Sequence, residues 1–392
     1  MTYREILDRY KNNELEEGEK AALEQDIEKH EAIGDYLMEQ AELPVMELLD
    51  AADKAEENGS PEEFEKQVKT YIRRAFARTG VIVGAAVLAV LLFVIFALPK
   101  IVDGFYYDPG ETVGETEFGE TNRMSLDMAV YTELFVPFGY RESVTVDDEG
   151  YGNYGVYVRQ NVSYTGYFTD VVGKLSRNKL TLYDPNVFKG PTGNAFLGEL
   201  VGVKDWYSGA GAAGYPKEAF ELLDTLDGDT KYAAYSTLDK AMSYAEFTEW
   251  CAENEEYPEW CALCVKTENG YETVANNLGF LLNGGCCELG YDKDKYPYLS
   301  VFDMTEEMEK DSVKDDVMRK HVASLLRYVA DNPQFAEMMG RELDPDALRA
   351  AADNVEEYGV FVYGFSAVDT GEYIRRLKGM ENVAYVYTVP MM

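Results

Sequence analysis

The 392-residue chain is predicted to fold as a small all-α cytoplasmic module, one transmembrane helix and an α+β ectodomain. Three observations predict this. Residues 79–99 carry no charge, and 81–98 read VIVGAAVLAVLLFVIFAL. Before them, apolar residues recur at helical spacing. After them, short β-branched and aromatic runs alternate with turn residues, and then with helical stretches.

Composition narrows the functions open to such a chain. Asp and Glu number 72 against 36 Lys and Arg, a net charge of −36. So large an excess of carboxylates repels phosphate backbones, so no nucleic acid is expected among the partners. It repels anionic membrane surfaces too, and association with a bilayer must be hydrophobic. A hydrophobic share of 46%, with 30 Tyr, 18 Phe and 3 Trp, can fill cores and excludes disorder throughout. His30 and His321 are the two histidines, which removes most metal and general-base chemistry. The length suits two or three domains.

In residues 1–58, Tyr3, Ile6, Leu7 and Tyr10 fall at i, i+3, i+4 and i+7 and form one apolar stripe on a first helix. A second helix over 17–29 carries Ala21, Leu23 and Ile27. A third, starting at residue 32, carries Ile33, Tyr36 and Leu37 and, past Pro44, Met46, Leu48 and Leu49. Helices this short are marginal alone and must pack on each other or on a partner. Ser60-Pro61-Glu62-Glu63 then combines a capping box with Pro at the first helical position. It opens a juxtamembrane helix over 59–78 that nothing interrupts until Pro99.

Residues 79–99 read as the transmembrane helix, because 21 helical residues span about 31 Å, the thickness of a hydrocarbon core. A buried helix of a soluble protein would carry polar residues on one face. A cleaved signal peptide would begin within a few residues of the chain start. Lys66, Lys69, Arg73, Arg74 and Arg78 precede the span, whereas Lys100 stands alone after it until Arg123. The positive-inside bias therefore predicts a single-pass protein of the cell membrane, N-terminus cytoplasmic and residues 100–392 outside.

Residues 100–124, rich in Gly, Glu, Tyr and Thr without periodicity, read as a linker. A β-rich part follows over 125–222, with strands expected at 130–138, 143–146, 154–164 and 179–183. Residues 223–392 repeat a β-α-β pattern: strand 231–236, helix 243–251 and strand 260–266, then strand 360–368, helix 372–378 and strand 383–389. Helices over 305–330, 333–339 and 345–358 lie between the repeats. Two such units in one domain predict a ferredoxin-like sandwich.

Tyr10-Lys11-Asn12-Asn13-Glu14-Leu15-Glu16-Glu17-Gly18-Glu19-Lys20, followed by Leu23 to His30, resembles the N-terminal domain of membrane-bound anti-sigma factors. Many of those bind zinc through His-x3-Cys-x2-Cys. Here Gly34 and Leu37 stand at the two cysteine positions after His30. The resemblance is therefore to the zinc-free branch, the sigma factor regulator proteins, and it implies no metal and no cofactor. Ala233 to Phe247 (AAYSTLDKAMSYAEF), Leu325 to Phe335 and Val355 to Val389 resemble the C-terminal domain of that family, in the same order. What the resemblance implies is an extracytoplasmic-function sigma factor as partner, held by Tyr3, Ile6, Leu7, Tyr10, Leu23, Ile27, Tyr36 and Leu37. Some of these must also form the module's own core. The bilayer, and a second membrane protein, are the other partners considered.

Cys251, Cys261, Cys264, Cys286 and Cys287 all fall in the ectodomain, where one or two disulfides are expected. Trp260-Cys261-Ala262-Leu263-Cys264 superficially matches a thioredoxin-like motif, but that motif needs a helix N-terminus to lower the thiol pKa. In a strand, residues three apart point to opposite faces. Acidic runs at 253–256 and 292–294 lack the oxygen spacing of a calcium loop, and no catalytic set is found. The expected function is thus sequestration of a sigma factor in response to envelope state. The alternatives are an anchored extracellular binding or wall-associated protein with an inner tether and, third, a thiol oxidoreductase.

Overall fold

The computed structural model describes residues 61–137, 139–162, 167–183, 195–204, 214–283, 289–300 and 311–391, and, nearer the start, residues 10, 18–21, 23–25 and 27–29. The chain divides into two compact units, Met1–Ala97 and Leu98–Met392. In the first, the described residues between 10 and 29 are helical. Helix α1 (Pro61–Leu92) starts at the proline predicted to open it and runs into a π-helical turn, Phe93–Ala97. Helix α2 (Leu98–Asp103) begins the second unit. The stretch Ile72–Asp103 is 32 residues of helix, with a mean hydropathy of 3.2 over its most apolar window and none of that window buried. It is long and apolar enough to cross a membrane. Residues such as Val81, Val90 and Phe96 lie bare along it, a surface suited to lipid rather than water.

In the second unit, residues 100–124 are part of the fold, where a linker was expected. Strands β1 (Thr112–Thr116) and β2 (Gly119–Asn122) pair as an antiparallel ribbon. Gly114 of β1 and Gly290 approach so closely, backbone to backbone, that neither has room for a Cβ. Thr121 Oγ1 holds the same contact by accepting the Gly290 N–H at 2.7 Å. The ribbon escaped the sequence reading because its strands are short and mostly polar.

A second correction concerns 130–138, expected as a strand. It lies largely in helix α3 (Arg123–Phe135), which Asn122 caps by accepting the Ser125 N–H at 2.8 Å. Eleven of its 13 residues are buried, so it has no polar face to betray a helical period, and its Val, Tyr, Thr and Phe content imitates a strand. Then follow β3 (Gly139–Gly150), β4 (Asn153–Val162), β5 (Tyr167–Ser176) and β6 (Lys179–Leu182), an antiparallel meander in the order β3-β4-β5-β6. Its inner face, including Val156, Val158, Val171 and Leu175, is buried. β5 was not anticipated.

The larger sheet contains β7 (Val203–Lys204), β8 (Lys231–Ser243), β9 (Trp260–Thr267), β10 (Gly270–Glu272), β11 (Gly279–Leu281), β12 (Phe361–Thr370) and β13 (Val383–Pro390). Its order is β13-β8-β12-β9-β10-β7, with β11 also pairing β9. Within it, β8-α-β9 and β12-α-β13 interleave, each repeat leaving room for a strand of the other, as the two-unit repeat anticipates. The crossover helices are α5 (Tyr244–Asn254) and α9 (Gly371–Arg376). Helix α5 begins in a full capping box: Ser243 Oγ accepts the Glu246 N–H and the Glu246 carboxylate accepts the Ser243 N–H at 2.8 Å. Helix α4 (Pro216–Leu223) precedes the repeats; α6 (Asp311–Asp331), α7 (Pro333–Met338) and α8 (Pro345–Tyr358) separate them.

No break falls at 222/223. One continuous core joins Val156 and Leu175 of the meander to Phe365 of β12 and Leu326 of α6, with α3 embedded in it. A smaller core on the other face of the large sheet gathers Phe196, Trp260, Tyr235 and Tyr363, so residues 195–204 belong with that sheet. Phe196 lies flat over Gly364, where a Cβ would meet its ring at 2.6 Å, and β12 bulges beside it.

Candidate functional site

Three places bear on function: the inner helices, the thiols and a buried polar centre on α3. Of the residues expected to hold a partner, Tyr10, Leu23 and Ile27 are described; Tyr3, Ile6, Leu7, Tyr36 and Leu37 lie outside the described residues. Tyr10 and Ile27 are half-buried and Leu23 is buried at 4% exposure. Tyr10 Oη donates to Glu24 Oε1 at 3.0 Å, tying it to the helical stretch that holds Leu23. Leu23 therefore serves the interior of its own unit. Tyr10, which keeps surface and points its hydroxyl at the second helix, straddles interior and exterior.

The thiols read differently from the expectation. Cys251, Cys261 and Cys264 are free and buried, so the expected bridges do not form among them; Cys286 and Cys287 lie outside the described residues. Along β9 the side chains alternate between the two cores: Cys261, Leu263 and Val265 on the α3 side, Trp260, Ala262 and Cys264 on the other. The two sulfurs of the Cys-x-x-Cys run are thus separated by the sheet itself. Burial pushes the Cys251 thiol up to about 12 and raises those of Cys261 and Cys264 further, the reverse of what a nucleophilic thiolate requires. No group of three or more His, Cys, Asp and Glu that could hold a metal occurs among the described residues.

The polar centre was missed from the sequence. Asp127 and Glu133 sit on the buried helix α3, 4% and 5% exposed. Asp127 accepts two phenols, Tyr107 at 2.5 Å and Tyr328 of α6 at 2.6 Å. Burial raises its carboxyl to about 6 even though both hydrogen bonds and Arg123 pull the other way. Glu133 receives His321 Nε2 at 2.7 Å and the Leu281 N–H at 3.3 Å on Oε1, and its backbone carbonyl accepts the Trp260 indole at 2.7 Å.

His321 is fully buried, and its Nδ1 lies 2.7 Å from the Tyr298 carbonyl. That carbonyl can only accept, so Nδ1 carries a proton; Nε2 then faces a carboxylate oxygen, and the pair is satisfied when a second proton lies between them. Burial lowers the imidazole pKa, but the Glu133 charge and the hydrogen bonds to Glu133 and Tyr298 outweigh it, leaving the net value raised. The only sequence signal was two acidic residues inside an apolar run; their partners on α6 are 188 and 201 positions away. Such a centre, sealed from solvent and without a nucleophile, can take up a proton and lock α3 to α6 and β9.

Comparison with family models, with curated proteins and with solved structures finds no match.

Proposed function

We propose that this chain is a transmembrane anti-sigma factor: its N-terminal helices sequester an extracytoplasmic-function sigma factor, and residues 100–392, outside the cell, respond to envelope state. The observation that carries the reading is the order of parts. An acidic N-terminal segment with apolar residues at helical spacing precedes a helix long and apolar enough to cross a membrane, and an interleaved β-α-β sheet follows it. Residues 1–80 hold 11 basic and 21 acidic residues, the remainder 25 and 51. An acidic module can cover the basic and apolar surface that a sigma factor offers polymerase, with electrostatic attraction speeding encounter. Because Leu23 serves the module's interior, the anchors fall to Tyr3, Ile6, Leu7 and Tyr10, at the spacing of a helix laid in a groove. Ile27, Tyr36 and Leu37 complete the patch. Gly34 and Leu37, standing where zinc-binding relatives have cysteine, support a module that needs no metal. The reading also needs no catalytic set.

The orientation on which this depends is testable with two exposed positions. Tyr257 is 81% exposed in the second unit and Phe76 75% exposed before the span. A membrane-impermeant maleimide should label Tyr257→Cys on intact cells and Phe76→Cys only after lysis. The native thiols at 251, 261 and 264 are buried and contribute little background. The opposite labelling would place the helical module outside, where no sigma factor exists, and would end the proposal.

A further inference from the structure

The chain leaves its apolar stretch at Pro99, and whatever is bonded to the next few residues is held near the same end of the span. Asp103, the last residue of α2, accepts the Gly152 N–H at 2.5 Å. Tyr106 packs on Gly152, where a Cβ would meet its ring at 2.6 Å, and Pro99 lies against Gly150. The Tyr107 N–H donates to Asn178 Oδ1 at 2.7 Å, and the Arg177 N–H to the Gly152 carbonyl at 2.7 Å. Gly150 to Gly152 form the β3–β4 turn; Arg177 and Asn178, with φ of 48° and 65°, form the β5–β6 turn. Both described turns of the meander therefore end at the helix exit.

Two apolar side chains and three cations face outward there, beside the exposed carboxylates of the β3–β4 turn. Ile101 is 50% and Phe105 78% exposed, and Lys100, Arg177 and Lys179 are exposed cations. Of the carboxylates at the same end, Glu149 is paired with Lys174, while Asp103, Asp108 and Asp148 accept the backbone N–H groups of Gly152, Gly110 and Gly150 and keep their charge. At this end Lys100, Arg177 and Lys179 lie beside Ile101 and Phe105, all five exposed.

We propose that this end of the unit is a membrane-docking surface. Phe105 and Ile101 enter the boundary between headgroups and acyl chains, and Lys100, Arg177 and Lys179 contact phospholipid phosphates, so the four-stranded meander stands end-on on the bilayer. The inference rests on reading residues 79–99, within the helical stretch Ile72–Asp103, as a span, and continuity with that helix is what selects lipid as the occupant.

The test uses the full chain, carrying Phe105→Trp, reconstituted in vesicles of phosphatidylcholine and phosphatidylglycerol whose acyl chains are brominated at a shallow or a deep position. A parallel variant, Val87→Trp, sits within the apolar stretch. The added Trp at 105 should be quenched by shallow bromines more than by deep ones, while that at 87 shows the reverse order. Combining Phe105→Trp with Arg177→Glu and Lys179→Glu should weaken the shallow quenching; all three side chains are exposed, so the fold is spared. Quenching at 87 with none at 105 would overturn the docking surface and leave the span intact. Quenching at neither position would overturn the span and the docking surface with it. Shallow quenching indifferent to the charge reversals would overturn the phosphate contacts.

Discussion

Replacing Glu133 by Ala should destabilise the second unit by about 3–5 kcal/mol, the scale for removing one partner of a buried ion pair. The carboxylate is the acceptor for His321 Nε2 and for the Leu281 N–H. Without it, a fully buried imidazole holds a hydrogen-bonding atom facing nothing, and a strand amide loses its acceptor. His321→Ala should cost a similar amount by stranding the carboxylate and opening a cavity between α3 and α6. Because the two act as one unit, the double variant should lose clearly less than the sum of the singles. Denaturant unfolding of the detergent-solubilised chain, followed by Trp emission, measures all three; the Trp260 indole bonds the Glu133 carbonyl and so reports on the centre directly. A cost near zero for Glu133→Ala would mean that water reaches the pair and that α3 is not locked by it.

Mild acid should stabilise this unit, and Asp127 is the main reason. Its carboxyl, at 3.8 in an unfolded chain, is raised to about 6 in the fold. The folded state therefore binds more protons than the unfolded one between those values. The contribution is fully present below about pH 4 and is lost as pH rises through about 6, about 3 kcal/mol for a shift of about two units. The groups around it are Tyr107, Tyr328 and Arg123, with Glu111 beyond Arg123. His321 acts in the same direction, its share being complete below 6.5 and lost as pH rises through its higher folded value. Paired carboxylates set the opposite limb: Asp331 and Glu356 are held below their ordinary values by basic partners, so their contribution is lost on stronger acidification. Melting temperature should thus rise from about pH 8 to about pH 5 and fall below about pH 4. Asp127→Asn, which still offers an acceptor and a donor to the two phenols, should flatten the rise and leave the acid limb unchanged. A melting temperature independent of pH over the upper range would contradict the burial of this carboxylate.

The parts legible in the sequence are those whose local chemistry agrees with their place in the fold. Helix α8 runs Pro345–Tyr358, the bounds expected, because Asp344 caps it, Pro345 opens it and Gly359 at φ 99° ends it. Three of the four strands of the β-α-β repeats are found within a few residues because turn residues bracket β-branched and aromatic runs, whereas β8 runs seven residues past its expected end at 236. What was not legible depends on contacts distant in sequence. Helix α3 is buried nearly all round because it is packed on every side, and neither its period nor its acidic residues declare that. The ribbon β1–β2 is seated on the unit where Gly114 meets Gly290, and a glycine in a polar stretch looks like a turn. The Cys-x-x-Cys run was read correctly as a strand with its sulfurs on opposite faces, since period two is a local property. Whether the expected cysteines bridge was not local, and Cys251, Cys261 and Cys264 stay free. Leu23 shows the same limit in the inner module: core and interface share one apolar spacing, and burial alone separates them.

The central claim is that the inner module holds a sigma factor, and purification of the full, detergent-solubilised chain from its native membranes tests it most directly. An extracytoplasmic-function sigma factor should co-purify in roughly stoichiometric amount, as expected for an interface with buried anchors. It should be lost when Ile6 and Leu7 are both Ala in a chain that still folds and inserts. Purification without any sigma factor, from cells that express one, would contradict the account.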